Sequence, residues 1–180
     1  MTVCPPGADL PPKTTVELPG ASAYLDGGTE PPIGNTALNA IAALLSDFEV
    51  LDDWEDRYKH VIELGRDLPP LPEADHTPEN KVKGCASQVW ITSSAEGPAA
   101  NPVLTFQGDS DALIVKGLIA IAFMIYSGKP AREILATDAG EILGKLGLSG
   151  HLTQQRSNGF ASMIQRIKQD ARNALQAPAG

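Results

Sequence analysis

The sequence predicts an α+β fold: one domain with a small three-stranded antiparallel sheet and helices packed on one face. Three observations carry this. Short segments of strand character fall in one block between Ser87 and Val115. Stretches with helical apolar spacing flank that block on both sides. The chain has 180 residues with 42% hydrophobic content, enough for one sizeable core and hardly for two.

Residues 1–36 read as a disordered proline-rich tail, with Pro5, Pro6, Pro11, Pro12, Pro19, Pro31 and Pro32 and little apolar periodicity. Order is expected to start near Ala37, and the domain to span residues 37–176. Ser46 with Glu49 forms a capping box for the next helix, and Asp47, Glu49, Asp52 and Asp53 complement its positive end. Along it Phe48, Leu51, Tyr58 and Ile62 face the core, and Gly65 and Pro69 end it. Pro69, Pro70, Pro72 and Pro78 then favour an extended, ordered surface crossing from Leu68 to Lys81 rather than a helix.

Ser87 to Ala95 reads as the first strand. Val103 to Gln107 alternates as a half-buried second strand, with Leu104 and Phe106 on one face. Gly108 to Ser110 is expected to turn the chain into a third strand at Asp111 to Val115. Lys116 to Ser127 is apolar nearly all round, as a buried helix should be, with Gly128 and Pro130 as stop signals. Asp138 with Glu141 caps a short helix. The last helix is expected to bury Phe160, Met163, Ile164, Ile167 and Ala171 and to turn Arg166, Lys168 and Arg172 toward solvent.

Cys85 stands where the stiff crossing becomes a strand, a position at which chemistry is commonly mounted. Gly84 beside it can take positive φ, so the thiol can be buried at rest and exposed on demand. Lys81 and Lys83 favour the thiolate if their ammonium groups lie close, while Glu79 opposes them; no strongly lowered pKa is expected. With only Cys4 and Cys85, neither a disulfide framework nor a cysteine-only metal site is implied.

Other classes are bounded by charge and pattern. A formal net charge of −8 argues against a sequence-independent nucleic-acid binder. The apolar run from Gly117 to Tyr126 is too short to span a bilayer, and no secretory signal opens the chain, so a cytoplasmic location is expected. A thiol–imidazole enzyme would need one of His60, His76 or His151, and none carries a recognisable signature. Asp109 and Asp111 lack the EF-hand pattern and read as turn caps. Trp90 reads as core or as a wall of the cysteine cavity. A lone cysteine is ordinarily a small buried hydrophobe, and surface charge is ordinarily solvated; the latter is the preferred reading of Asp56.

The run Leu64-Gly65-Arg66-Asp67-Leu68-Pro69-Pro70-Leu71-Pro72, then Asn80-Lys81-Val82-Lys83-Gly84-Cys85-Ala86-Ser87-Gln88-Val89-Trp90, resembles the SufE family of cysteine desulfuration proteins. The blocks Asp109 to Leu118 and Leu148 to Gly159, with Arg156-Ser157-Asn158-Gly159, match in the same order. The resemblance covers Ala37 to Ala174 and leaves the tail and Cys4 outside it. It implies a SufE/IscU-like fold and a sulfur acceptor that also activates a pyridoxal-phosphate cysteine desulfurase of the SufS type. Cys85 would take the persulfide sulfur and deliver it to a cluster-assembly scaffold of the SufBCD type.

The resemblance further implies a loop that shelters the sulfur and swings out. Lys83, Gly84, Ser87, Gln88, Asp111 and Arg156 are the loop and partner-contact candidates; an anchoring role for Asp56, Arg57 and Arg66 stands against ordinary solvated charge, the reading preferred for Asp56. It implies no cofactor on this chain, the pyridoxal phosphate residing on the partner, and a protein that is not an enzyme by itself. A monomer or weak homodimer is expected. A cluster scaffold would need several converging ligands, whereas only Cys85 lies in the expected domain. A sulfur carrier for another thiolation pathway and a noncatalytic adaptor are the alternatives.

Overall fold

A computed structural model describes residues 33–177, with side chains from Ala40 onward. Of the expected tail, residues 1–32, Cys4 included, lie outside the described residues, and Ile33 opens the first helix. The elements are α1 (Ile33–Val50), α2 (Trp54–Arg66), a single 3-10 turn (Glu73–Asp75), β1 (Val89–Glu96), β2 (Val103–Ser110), α3 (Leu113–Tyr126), β3 (Lys129–Pro130), α4 (Ala131–Ala136), α5 (Ala139–Lys145) and α6 (Gln154–Gln176). The sheet order is β1-β2-β3 and both pairings are antiparallel. Fold class and strand number agree with the sequence. Among the described residues no helix is long and apolar enough to cross a membrane.

The alternation expected of β2 sorts its side chains between two environments. Leu104 and Phe106 are buried, while Thr105 and Gln107 are exposed on the opposite face. Thr105 shares a hydrogen bond of 2.6 Å with Ser94 across the strands. α3 is the central element: Leu118, Ile119, Ile121 and Ile125 are essentially fully buried. Its all-round apolar surface follows from being packed on several sides, by α1, α2, α6 and β2.

Four expectations about local structure are corrected. The third strand is Lys129–Pro130, pairing with Val103 and Leu104, and Asp111 to Val115 is instead the entry to α3. β2 runs straight through Gly108, because that glycine is needed for packing rather than for a turn. A Cβ there would stand 2.7 Å from the Trp90 carbonyl oxygen and 3.0 Å from Phe123. The turn comes later, at Gly128 (φ 74°), and Pro130, which cannot donate to a ladder, sits on a two-residue edge strand.

The Ser46/Glu49 capping box is the second correction. Both residues are inside α1, and the cap is Asp53, whose carboxylate accepts from the Glu55 amide at 2.9 Å. Phe48 is therefore a buried residue of α1, and Leu51 lies in the connection. Arg57 closes that connection by donating to the carbonyls of Leu51 (2.6 Å) and Phe48 (3.1 Å), which satisfies the end of α1.

Gly65 does not end α2. It lies inside the helix, where its missing side chain lets α2 and α3 cross in close contact. A Cβ on Gly65 would fall 2.5 Å from the Gly117 nitrogen, and one on Gly117 would overlap Val61. The last helix is the fourth correction. Phe160, Met163, Ile167 and Ala171 are buried as expected and Ile164 is half-buried, but Arg166 and Lys168 turn inward to backbone carbonyls. At its start Thr153 is the N-cap.

Candidate functional site

The crossing from Leu68 to Lys81 is non-helical apart from the 3-10 turn at Glu73–Asp75 and a second turn over residues 78–80, and side chains tie it down at successive points. The Asn80 side chain donates to the Asp75 carbonyl at 2.9 Å. His76 lies edge-on to Trp90 with ring centroids 4.6 Å apart. Its Nδ1 is 3.3 Å from Glu73 and its Nε2 3.5 Å from Asp109. Asp109 also pairs with Lys116 at 2.6 Å. Burial by itself would raise the Asp109 carboxyl, but Lys116, the Ser110 amide and His76 together hold it below its ordinary value.

The crossing ends in a narrow hairpin neck. Lys81 bridges Trp90, the Val82 amide donates to the Val89 carbonyl at 2.8 Å, and the Ile91 amide donates to the Asn80 carbonyl at 2.9 Å. Beyond the neck, residues 83–88 form a loop with Cys85 at its tip. Gly84 has φ 89°, a conformation that residues with a side chain rarely adopt, and it faces Ser162 of α6. This turn directs Cys85 inward. The Cys85 Sγ donates to the Gly159 carbonyl oxygen at 3.5 Å.

The thiol opens onto a cavity of about 260 Å³. Ala112, Val115, Leu118, Phe160 and Met163 give it an apolar interior, and Ser87, Thr153, Gln155 and Arg156 supply the polar part of its lining. Cys85 is half-buried, and burial pushes its thiol above the ordinary value of 9.0. Lys81 and Lys83 are exposed and do not offset this. In this position the group is therefore protonated at neutral pH and a slow nucleophile.

The remaining candidates fall into three groups. Gly84 turns the loop, Ser87 lines the cavity, and Lys83 stands exposed on the loop. Gln88 and Asp111 form its exit hinge: the Asp111 carboxylate accepts from the Gln88 amide at 3.0 Å, and the Ser110 hydroxyl donates to the Gln88 carbonyl at 2.7 Å. Arg156 lies on the cavity lining with its guanidinium 5.7 Å from the Tyr58 ring centroid.

Other candidates stand elsewhere. Trp90 is absent from the cavity lining and meets His76 instead, because β1 turns it away from the thiol. Arg57 is engaged at the α1–α2 connection, and Asp56 pairs with Lys59 on the exposed surface. None of the three histidines lines the cavity: His60 packs on Phe48, and His151 stacks on Trp54 at 4.2 Å. Asp109 and Asp111 diverge to different partners rather than converging.

On α6, Arg156 is the one site candidate named by sequence reading, which misses the rest of that helix's contribution. Gly159, Phe160 and Met163 line the cavity, and Arg166 reaches the loop's neck from the same helix. The 156/159/160/163 spacing was available as a signal, since it places those residues on one helix face.

A family model described as SufE: Fe-S metabolism associated domain matches residues 42–171. The chain is 54% identical over 140 residues to an uncharacterized SufE-like protein of Rhizobium meliloti (strain 1021), covering 78% of this chain and 100% of that protein. It is 57% identical over 129 residues to an uncharacterized SufE-like protein of Rhizobium etli, covering 72% of this chain and 87% of that one. Among solved structures, the solution structure of a hypothetical protein from Thermus thermophilus superposes with a TM-score of 0.59 at 22% identity. That match covers 77% of this chain and 97% of the other, and at this identity it speaks to the fold alone.

Proposed function

The chain belongs to the SufE family, a domain family associated with iron–sulfur metabolism, and from that premise we propose that it is a sulfur acceptor for a pyridoxal-phosphate cysteine desulfurase of the SufS type. Cys85 is the acceptor atom's residue. Its thiolate attacks the terminal sulfur of the desulfurase persulfide, and the sulfur–sulfur bond of the donor breaks. The desulfurase cysteine leaves as a thiolate, and Cys85 becomes the persulfide. One sulfane sulfur moves and no external oxidant or reductant is consumed. Delivery to a scaffold of the SufBCD type repeats the exchange with Cys85 as donor.

The observation that carries this reading is the seating of Cys85 at the tip of a glycine-hinged loop, its sulfur turned into a largely apolar cavity of about 260 Å³. A cavity of that size leaves room for an added sulfur atom. Its largely apolar lining limits the contact of a persulfide with bulk water, reductant and oxidant. The raised thiol makes attack slow at rest, so efficient transfer requires the loop to leave the cavity and meet the desulfurase. Resting protection and activated transfer thus use one residue in two positions.

The test is intact-protein mass after incubation with desulfurase and free cysteine, comparing the natural chain with Cys85→Ser and Cys4→Ser. One added sulfur, removed by reductant and lost only in Cys85→Ser, is the expected result. Desulfurase stimulation that survives in Cys85→Ser would make the chain an adaptor. Sulfur found on Cys4 alone would move the site. Offering the loaded chain a SufBCD-type scaffold or, separately, a thiolation-pathway acceptor separates cluster assembly from other sulfur delivery.

A further inference from the structure

One stripe of α6 accounts for both the seat and the support of the Cys85 loop. Gly159, Ser162, Arg166 and Asp170 follow one another at intervals of three or four residues, so they share a helix face. At the first position the side chain is absent, and a Cβ there would already stand 3.5 Å from the Cys85 sulfur. At the second, a short hydroxyl faces Gly84 and is turned back to the Asn158 carbonyl at 3.0 Å. These small residues leave the tip of the loop resting on α6 without a side chain gripping it.

The third position is different. Arg166 donates from Nη1 to the Glu79 carbonyl at 3.0 Å and from Nη2 to the Ile91 carbonyl at 3.1 Å. Those carbonyls belong to the two opposite arms of the loop's neck. The guanidinium is oriented from behind by Asp170, whose two carboxylate oxygens lie 3.0 and 3.1 Å from Nε. Both side chains are largely buried, at 23% and 12% exposure, so the pair is sheltered from competing water. A planar fork with separated donors suits bridging two backbone strands, which a single ammonium does poorly.

We infer that Arg166, held by Asp170, is a positioning residue that clamps the two arms of the neck and confines movement of the cysteine loop to residues 83–87, up to the Gln88 hinge held by Asp111 and Ser110. The grip is strong where the arms meet and weak where the thiol sits, so the tip lifts as a short lever and the hairpin at its base stays closed. The inference deepens the sulfur-acceptor reading, on which only the purpose of the movement rests.

Hydrogen exchange at single amides tests it without a desulfurase. The Val82 and Ile91 amides report the neck, and the Ile121 amide reports the core of α3. Arg166→Ala is expected to speed exchange at Val82 and Ile91 by about tenfold or more while Ile121 keeps its rate. Asp170→Asn, which keeps the guanidinium, should give a smaller change at the same two amides. Arg166→Lys should recover part of the protection. Unchanged exchange at the neck in both Arg166→Ala and Asp170→Asn overturns the clamp. Equal acceleration at Ile121 also overturns it, because the residue would then be a general stabiliser. A chain that takes no sulfur at Cys85 would sink the acceptor reading and leave these exchange rates untouched.

Discussion

Replacing Gly84 with alanine probes how the resting thiol is held. The residue sits at φ 89°, and a side chain in the left-handed region costs roughly 1–2 kcal/mol relative to its preferred backbone. The new methyl would stand 2.8 Å from the Ser162 hydroxyl, a short side chain able to rotate away, so backbone strain is the larger contribution. That strain is present with the loop seated and released when it lifts, so the seated state alone is destabilised. A change of 1–2 kcal/mol multiplies the lifted population by roughly 5–30. Alkylation of Cys85 by iodoacetamide under native conditions, followed by intact mass, should accelerate by that factor. The double variant Gly84→Ala, Ser162→Ala should keep most of the increase. An alkylation rate equal to that of the natural chain, with the melting temperature unchanged, would refute the view that this glycine holds the sulfur in.

Three further outcomes are expected. The pH profile of Cys85 alkylation should have its midpoint above 9.0 in the folded chain and drop toward the ordinary thiol value in urea. Because the folded value is raised, the associated stability is full below the ordinary thiol value of 9.0 and is lost as pH climbs through the folded one, so the natural chain should lose its advantage over Cys85→Ser above that pH. Asp109 is shifted the other way: its stabilisation is present above its unfolded pKa of about 3.9 and is lost as pH falls through the lower folded value. Urea titrations should therefore show the natural chain weakening more steeply than Asp109→Asn below about pH 4. Two glycines in helices should respond oppositely to alanine. Gly117→Ala drives a methyl into Val61 and should destabilise by about 2–3 kcal/mol in urea denaturation, whereas Gly144→Ala, with nothing nearer than Ser149 at 3.9 Å, should stabilise by about 0.5–1 kcal/mol.

Sequence alone carried the architecture, because periodicity reports burial directly. The alternation of Val103 to Gln107 and the all-round apolar character of α3 each allow essentially one environment. It also singled out Cys85 and Gly84, since the surrounding block resembles one family closely and a glycine can take the positive φ that the turn before the thiol uses. Asp138 is legible as a cap, accepting from the Gly140 amide at 2.8 Å, because capping is local chemistry.

What only the tertiary structure decided is whatever depends on a second segment. Glycine illustrates this: Gly65 and Gly108 look like punctuation in a sequence, yet both are points of close approach, to α3 and to Trp90 with Phe123 respectively. Apolar residues at Ala112 to Val115 suit a strand or a buried helix equally, and α3's packing against its neighbours chose the helix. Arg166 reads as a solvent-facing charge until the fold brings the carbonyls of Glu79 and Ile91 to it from more than seventy residues away. The raised thiol belongs to the same category. Charges near Cys85 in sequence suggest a balance of lysine and glutamate, whereas burial by residues contributed largely from α3 and α6 sets its protonation. Local chemistry is written along the chain, while burial, close approach and long-range hydrogen bonds exist only once the chain has folded.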